Sequence, residues 1–454
     1  MAITDDVICA VATPSGTGGV SIVRLSGSGA LSIANSIIEK PLLLPRYAYY
    51  REVRNSDGSV LDNVLLTYFK SPHSYTGEDI IEISCHASPY IVRTVLSLCL
   101  AAGARMARAG EFTERAFLNG KLDLSQAEAV ADIIASENTA SHFLAMQQFR
   151  GGVSNEIALL RSGLLDLTSL LELELDFGEE DVEFASRSEL RALLEKIASR
   201  ASALRSSFAL GNAIKEGIPV AIIGKPNAGK STLLNALLDD EKALVSEVPG
   251  TTRDAIEDTV VLGGVKFRFI DTAGLRISSD IVERMGVERT MSKMQHASIW
   301  LYVFDVTEMS FEQAYNEIST LKSKLKPSEN TKIIFVGNKT DITPDMQHSQ
   351  SNSIIYLSAR SGELTELSTA LIKLSGADTL SQQQIILTNA RHYDILGKVL
   401  NGLTQLRTDL ENELSTDLLS QQLRTILNYL GEITGQINTD NILTNIFSRF
   451  CIGK

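Results

Sequence analysis

The chain has 454 residues, 44% hydrophobic and 21% charged, a composition that excludes a disordered protein and fits about three globular domains by length. Its formal net charge of −13 excludes a broad nucleic-acid-binding face, because neutralising phosphates takes clustered Lys and Arg, and leaves room only for a local basic site. No apolar stretch approaches the roughly 18 residues of a membrane helix, the start Met1-Ala2-Ile3-Thr4-Asp5-Asp6 lacks a basic secretory region, and Cys9, Cys85, Cys99 and Cys451 show no metal-ligand spacing, so a reduced cytoplasmic protein without membrane association is expected.

Residues 1–121 mix short β-type runs, Gly19 to Leu25, Val64 to Phe69 and Ile80 to Ser84, with Gly and Pro punctuation; this predicts a compact α+β domain. Residues 122–215 read as helical. Ile157, Leu160, Leu164, Leu167, Leu171 and Leu175 recur at spacings of three and four, the mark of one buried helix face. After the acidic break Gly178-Glu179-Glu180-Asp181, a second amphipathic helix is predicted from about Ser188, with Leu190, Leu193, Ile197, Ala201, Leu204 and Phe208 on its apolar side. Residues 216–376 alternate apolar strands with helical segments, which predicts a parallel α/β sheet. Residues 377–454 return to helix through Leu423, Ile426, Leu427 and Leu430 and on to Ile442, Ile446 and Phe450. Helices on both sides of an α/β unit predict that the unit is inserted into a discontinuous helical domain.

Gly224-Lys225-Pro226-Asn227-Ala228-Gly229-Lys230-Ser231 lies between an apolar run, Ile218 to Ile223, and a helical run, Thr232 to Leu238. That strand–loop–helix context is what a phosphate-binding loop requires. Backbone N–H groups from Asn227 to Thr232 would face phosphates, Lys230 would reach the outer ones as a catalytic cation, and the Ser231 hydroxyl would ligate Mg²⁺. Asn338-Lys339-Thr340-Asp341 follows the strand Ile333 to Val336; a carboxylate there accepts from guanine N1–H and its exocyclic amine, which selects GTP over ATP. Ser358-Ala359-Arg360 suits the loop facing guanine O6. Asp271-Thr272-Ala273-Gly274 ends the strand Phe267 to Ile270, where the Asp can hold the Mg²⁺ shell and the Gly amide can sense a γ-phosphate. In Gly250-Thr251-Thr252-Arg253-Asp254, Thr252 is the candidate switch ligand of Mg²⁺. Where Ras-like GTPases carry a water-orienting Gln, this chain has Leu275. Glu283 is one candidate replacement, but the residues themselves favour a capping box opened by Asp280, with Glu283 reaching back.

Four segments carry a resemblance: Thr13 to Gly19, Gly110 to Leu124, Gly250 to Asp254 and the terminal Cys451-Ile452-Gly453-Lys454. In these the chain resembles, from end to end, the MnmE (TrmE) family of tRNA modification GTPases. The resemblance implies a multidomain α+β and α/β protein: an N-terminal folate-binding-type α+β domain that forms a homodimer, a discontinuous helical domain, and an inserted Ras-like P-loop G domain. It implies GTP hydrolysis in a heterotetramer with an FAD-dependent partner (GidA, also MnmG). That complex adds an aminomethyl or carboxymethylaminomethyl group to C5 of the wobble uridine of certain tRNAs, with carbon from a 5-formyl or 5,10-methylene tetrahydrofolate. Arg24, Glu82, Lys121 and Lys454 match folate-pocket positions; a pterin edge wants a carboxylate and an anionic glutamate tail wants cations.

The resemblance further implies K⁺ in place of an arginine finger. Asn227 would give a side-chain ligand, backbone oxygens at Ser246, Val248 and Thr251 would complete the cage, and Glu247, Pro249 and Gly250 would lie in the same nucleotide-contacting loop. Glu283 then matches a water-orienting acid. Cys451 is a candidate redox or catalytic group. A ribosome-assembly GTPase is a rival reading, but no Gly-x-x-Gly loop with a basic flank follows residue 376. A non-catalytic, dynamin-like scaffold is a second, against which the N-terminal domain type argues.

Overall fold

Strands and helices follow the two periodicities of the sequence. A computed structural model describes residues 6–42, 44–176, 187–242, 257–271, 291, 293–328, 331–343, 354–377, 384–412, 414–437 and 440–453. They fall into two compact units, one of Met1–Ile134, Met146–Ser202 and Asp394–Lys454, the other of Ala135–Ala145 and Ala203–Tyr393.

The first unit contains a sheet of β1 (Ile8–Val11), β2 (Gly18–Ser26), β3 (Ala48–Arg54), β4 (Val60–Phe69), β5 (Ile80–Ala87) and β6 (Arg105–Met106), in the order β3-β4-β5-β2-β1-β6. β1 and β6 pair in parallel and the other neighbours antiparallel. Period-two alternation puts Val64 and Leu66 of β4 and Ile81 and Ile83 of β5 on one face. There they pack with Ile33 and Ala34 of the helix Ala30–Ser36 and Val95 and Cys99 of the helix Pro89–Ala101.

The helices Glu111–Leu118, Leu124–Ala135, Gly152–Asp176, Arg187–Ser206, Thr416–Thr434 and Asp440–Phe447 follow. Ile157, Leu160, Leu164, Leu167 and Leu171 are buried along Gly152–Asp176, which packs on Thr416–Thr434 with its buried Leu423, Ile426 and Leu430. In Arg187–Ser206 the buried positions are Leu190, Leu194, Ile197, Ala201 and Leu204. Leu194 therefore takes the inward place expected for Leu193, since the stripe continues at four-, three-, four- and three-residue steps. The helix stops at Ser206; Phe208 opens a new one, Phe208–Glu216, and stacks on Tyr393 with ring centroids 4.7 Å apart.

The second unit is built on β7 (Ile218–Ile223), β8 (Glu257–Leu262), β9 (Val265–Asp271), β10 (Ile299–Asp305), β11 (Lys332–Asn338) and β12 (Ile354–Tyr356), in the order β12-β11-β10-β7-β9-β8. All neighbours are parallel except the β8–β9 hairpin. β10 is buried at every residue, as a central strand covered on both faces must be. One face packs Phe267 and Phe269 with Leu233 and Leu237 of the helix Lys230–Lys242 and Leu367 and Leu371 of the helix Thr365–Ser375. On the other, Trp300, Phe304 and Phe335 meet Ala314 and Ile318 of the helix Phe311–Leu325. Both faces being filled, the carboxyl ends of the parallel strands are where a ligand fits. Among the described residues no helix is long and apolar enough to cross a membrane.

Candidate functional site

The carboxyl ends of β7 and β11 and the loop after β12 open onto a cavity of about 680 Å³. Gly224, Asn227, Gly229, Lys230, Ser231 and Thr232 line one side; Asn338, Lys339, Asp341, Ser358, Ala359 and Arg360 line the other. Three segments that are distant in sequence supply those residues, and each carries a motif read above.

The phosphate-loop geometry depends on two backbone positions. Gly229 has φ +93°, and a Cβ there would lie 2.1 Å from Asn338 Nδ2, so only glycine fits. Asn227 has φ +66°, a left-handed conformation that Asn tolerates better than most side chains, and its side chain is exposed. Lys230 Nζ donates to Gly224 O and Lys225 O, each at 2.8 Å, which holds the ammonium over the loop. Ser231 and Thr232 are exposed in the first turn of their helix, where unpaired N–H groups and the helix dipole favour an anion.

Asn338 joins the two sides. Its Nδ2 donates to Ala228 O at 2.8 Å and its Oδ1 accepts from Ala359 N at 2.9 Å, with the residue 3% exposed. Lys339 sits at φ +69° and pairs with Asp305 Oδ2 at 2.5 Å. Burial pushes the Asp305 carboxyl up, but hydrogen bonds from Lys339 and Thr307 outweigh it and hold the group below its ordinary value. Asp341 is exposed in the short 3₁₀ turn Thr340–Ile342 on the cavity wall. Ser358 is buried, and its Oγ has no hydrogen-bond partner among the described residues.

Asp271 ends β9 directly beside Ile222 of β7; its side chain lies outside the described residues. So do Ser246, Glu247, Val248, Pro249, Gly250, Thr251, Thr252, Arg253, Asp254, Thr272, Ala273, Gly274, Leu275, Glu283 and Lys454.

The first unit brings Arg24 and Glu82 together. They are direct cross-strand partners in β2 and β5, and Arg24 Nε and Nη2 donate to Glu82 Oε1 at 3.0 and 2.8 Å. The guanidinium also lies 5.8 Å from the Tyr75 ring centroid and 5.7 Å from that of Phe112. Lys121 points elsewhere: its Nζ donates to Pro72 O at 2.8 Å. The tail reaches the strand beside Arg24, because Arg24 pairs with Ala10 of β1 and a Cβ on Gly453 (φ +97°) would lie 2.1 Å from Val11 O. Ile452 bridges Ala109, and Cys451 is exposed with its carbonyl accepting from Gly110 N at 3.4 Å.

Two networks had no reading in the sequence. In Gly110 to Leu124, buried Glu111 and Arg115 form a charge cluster with Arg105, Arg108, Asp6 and Glu78. In the second unit, Lys225 of the phosphate loop pairs with Glu317 at 2.8 Å, and Glu317 accepts from the Tyr302 hydroxyl at 2.6 Å. The alternating charges of Glu111, Glu114 and Arg115 were the available signal for the first; the second had none.

Comparison with known proteins covers nearly the whole chain. A family model described as GTP-binding protein TrmE N-terminus matches residues 7–121, and one described as MnmE helical domain matches residues 124–451. A tRNA modification GTPase MnmE of Flavobacterium johnsoniae is 48% identical over 100% of both chains. Proteins of the same description from Cytophaga hutchinsonii and Bacteroides thetaiotaomicron are each 47% identical, over 99% of this chain and 98% and 99% of theirs.

Proposed function

Since the chain belongs to the MnmE family of tRNA modification GTPases, we propose that it is a K⁺-stimulated GTPase whose nucleotide cycle drives wobble-uridine modification in complex with an FAD-dependent, GidA/MnmG-type partner. The observation that carries the reading is the presence in one chain of a guanine-nucleotide cavity and of a separate Arg24–Glu82 site, with the tail held on the adjoining strand. In the division proposed here, residues 1–121 are the folate-binding and dimerising domain, 122–215 and 377–454 the helical domain, and 216–376 the inserted G domain.

The cavity's residues fit GTP and Mg²⁺. Backbone N–H groups at Gly229 to Thr232 meet phosphate oxygens, Lys230 neutralises charge on the outer phosphates, and Asp341 accepts from the guanine edge. The Ser358 hydroxyl offers a donor on the wall beside Asp341. Ser231 and Thr252 would hold Mg²⁺; Asn227, Ser246, Val248 and Thr251 would hold K⁺, which would place positive charge where negative charge develops in the transition state. The left-handed, exposed Asn227 supports that placement, since its side chain is at the lip of the phosphate loop. Glu283 orients the attacking water.

The Arg24–Glu82 pair fits a reduced folate. Glu82 can accept from a pterin N–H edge, Arg24 with Tyr75 and Phe112 gives a flat, partly apolar wall, and Lys454 would supply a cation for the glutamate tail, with Lys121 adding a second once its Nζ turns from Pro72 O. Bound there, the folate derivative supplies the one-carbon unit; the protein's residues bind and orient it.

Deleting the gene and analysing tRNA wobble uridines by mass spectrometry tests the function: unmodified C5 is expected, and normal modification refutes it. GTP turnover in K⁺ against Na⁺ tests the ion, and equal rates would remove it. A Glu283→Ala protein is expected to lose turnover at least 100-fold.

A further inference from the structure

The helical part of the first unit carries a second cavity, of about 260 Å³. One face of Gly152–Asp176 supplies Ser154, Ile157, Ala158, Arg161 and Leu165 at spacings of three and four, and Thr434 closes the opposite side. Two hydroxyls on its wall, Ser154 Oγ and Thr434 Oγ1, are buried and have no hydrogen-bond partner among the described residues, and Thr434 is only 8% exposed. Buried polar groups almost always have a partner, so two orphans on one wall point to a polar occupant.

Arg161 decides its sign. Among the described residues no carboxylate pairs with this guanidinium; its Nη1 donates to Leu427 O at 3.2 Å, which leaves most of its five N–H groups for another acceptor. Gly431, inside the helix Thr416–Thr434, makes room for it, since a Cβ there would lie 2.9 Å from Arg161 Nη1. Glycine is unfavourable in a helix interior, so this position favours the guanidinium over the helix.

We propose that this cavity binds a phosphate group, held by the Arg161 guanidinium and the Ser154 and Thr434 hydroxyls, with the buried Ile157 and the exposed Ala158 and Leu165 as its apolar lining. Arg is suited to phosphate through its planar fork of donors. The phosphate has two possible sources: the backbone of the tRNA, an assignment that rests on the function proposed above, or free inorganic phosphate. A net charge of −13 requires RNA to be gripped at few, well-built points rather than across a basic face.

The test uses the full-length protein and the variants Arg161→Gln, Arg161→Lys and Thr434→Val. Inorganic phosphate is titrated by calorimetry, and tRNA affinity is measured at several salt concentrations. Unfolding midpoints and basal GTP turnover, expected to be unchanged, report folding. If the site takes free phosphate, wild type binds it, Arg161→Gln weakens binding at least tenfold and Thr434→Val about threefold. If it takes tRNA, Arg161→Gln reduces the slope of log affinity against log salt by about 0.7–0.9, the value of one phosphate contact, and Arg161→Lys keeps that slope. The proposal falls if wild type binds no inorganic phosphate and the variants leave the tRNA slope unchanged, the result for a cavity that holds only water. Wild-type protein that binds no tRNA at all would count against the function proposed above, while the phosphate titration alone would then decide this site.

Discussion

Replacing Asn338 with Ala should damage nucleotide binding out of proportion to its size. The side chain makes two hydrogen bonds, to Ala228 O at 2.8 Å and from Ala359 N at 2.9 Å, and both partner residues are buried, at 2% and 5% exposure. Truncation leaves a carbonyl and an N–H buried and unpaired, at about 1–3 kcal/mol each. The open cavity lets water reach part of the gap, which favours the lower half of that range, so about 2–4 kcal/mol is expected in total. This loss falls on the arrangement that holds the phosphate loop against the base loop. At 1.4 kcal/mol per tenfold, affinity for GDP and GTP should drop ~30- to ~1,000-fold. Titration with a fluorescent GDP analogue, beside urea unfolding, measures both consequences. Affinity within threefold of wild type, with an unchanged unfolding midpoint, would refute the account of Asn338 as a tie between the two loops.

Asp341→Asn should exchange a double acceptor for a donor–acceptor pair and shift preference from GTP towards xanthosine triphosphate by at least 100-fold; competition between the two nucleotides measures this, and retained GTP preference removes Asp341 from the base site. Burial alone would raise the Glu111 carboxyl, but Arg105 and Arg108 outweigh it and bring it to about 2, against an ordinary 4.5. Because the folded value is the lower one, this stabilisation is complete above about pH 4.5 and is lost as pH falls through about 2, and a difference of about 2.5 pH units corresponds to about 3 kcal/mol. Glu114, pushed up by burial, acts in the opposite sense over its own range. Urea midpoints between pH 6 and pH 2 should therefore fall more steeply for wild type than for Glu111→Gln, and equal slopes contradict the assignment. Gly453→Val should displace the tail, since its φ of +97° and a Cβ 2.1 Å from Val11 O leave no room; reduced-folate binding should weaken at least tenfold with basal GTP turnover kept, and unchanged folate affinity would separate the tail from the Arg24 site.

Much of the nucleotide unit was legible because its signals are local. β7, β11 and β12 are largely apolar runs and β9 alternates Phe267, Phe269 and Val265 with Lys266 and Arg268; each ends in a short polar motif, and the motif sits where the parallel strands end. What escaped is what depends on partners distant in sequence. Asn338 could be recognised as part of a base-binding loop, yet nothing in the four residues says that its amide also grips Ala228. Glu317 lies in an amphipathic helix, and its tie to Lys225 arises only from packing beside Tyr302. The Glu111–Arg115 cluster looked like a family signature with no stated purpose; burial turns it into a charge network. The inward place of Leu194 shows a smaller limit: Leu193 and Leu194 are equally apolar, and only the phase of the stripe separates them.

The seat of Gly453 on β1 also sets a schedule for biogenesis. Val11 leaves the ribosome 442 residues ahead of Gly453, the residue that packs on it. At about 5–20 residues per second, roughly 20 to 90 seconds pass between the two events. The Arg24 neighbourhood therefore matures only after synthesis has reached residue 453, and a prematurely stopped chain would carry its sheet without its finished wall.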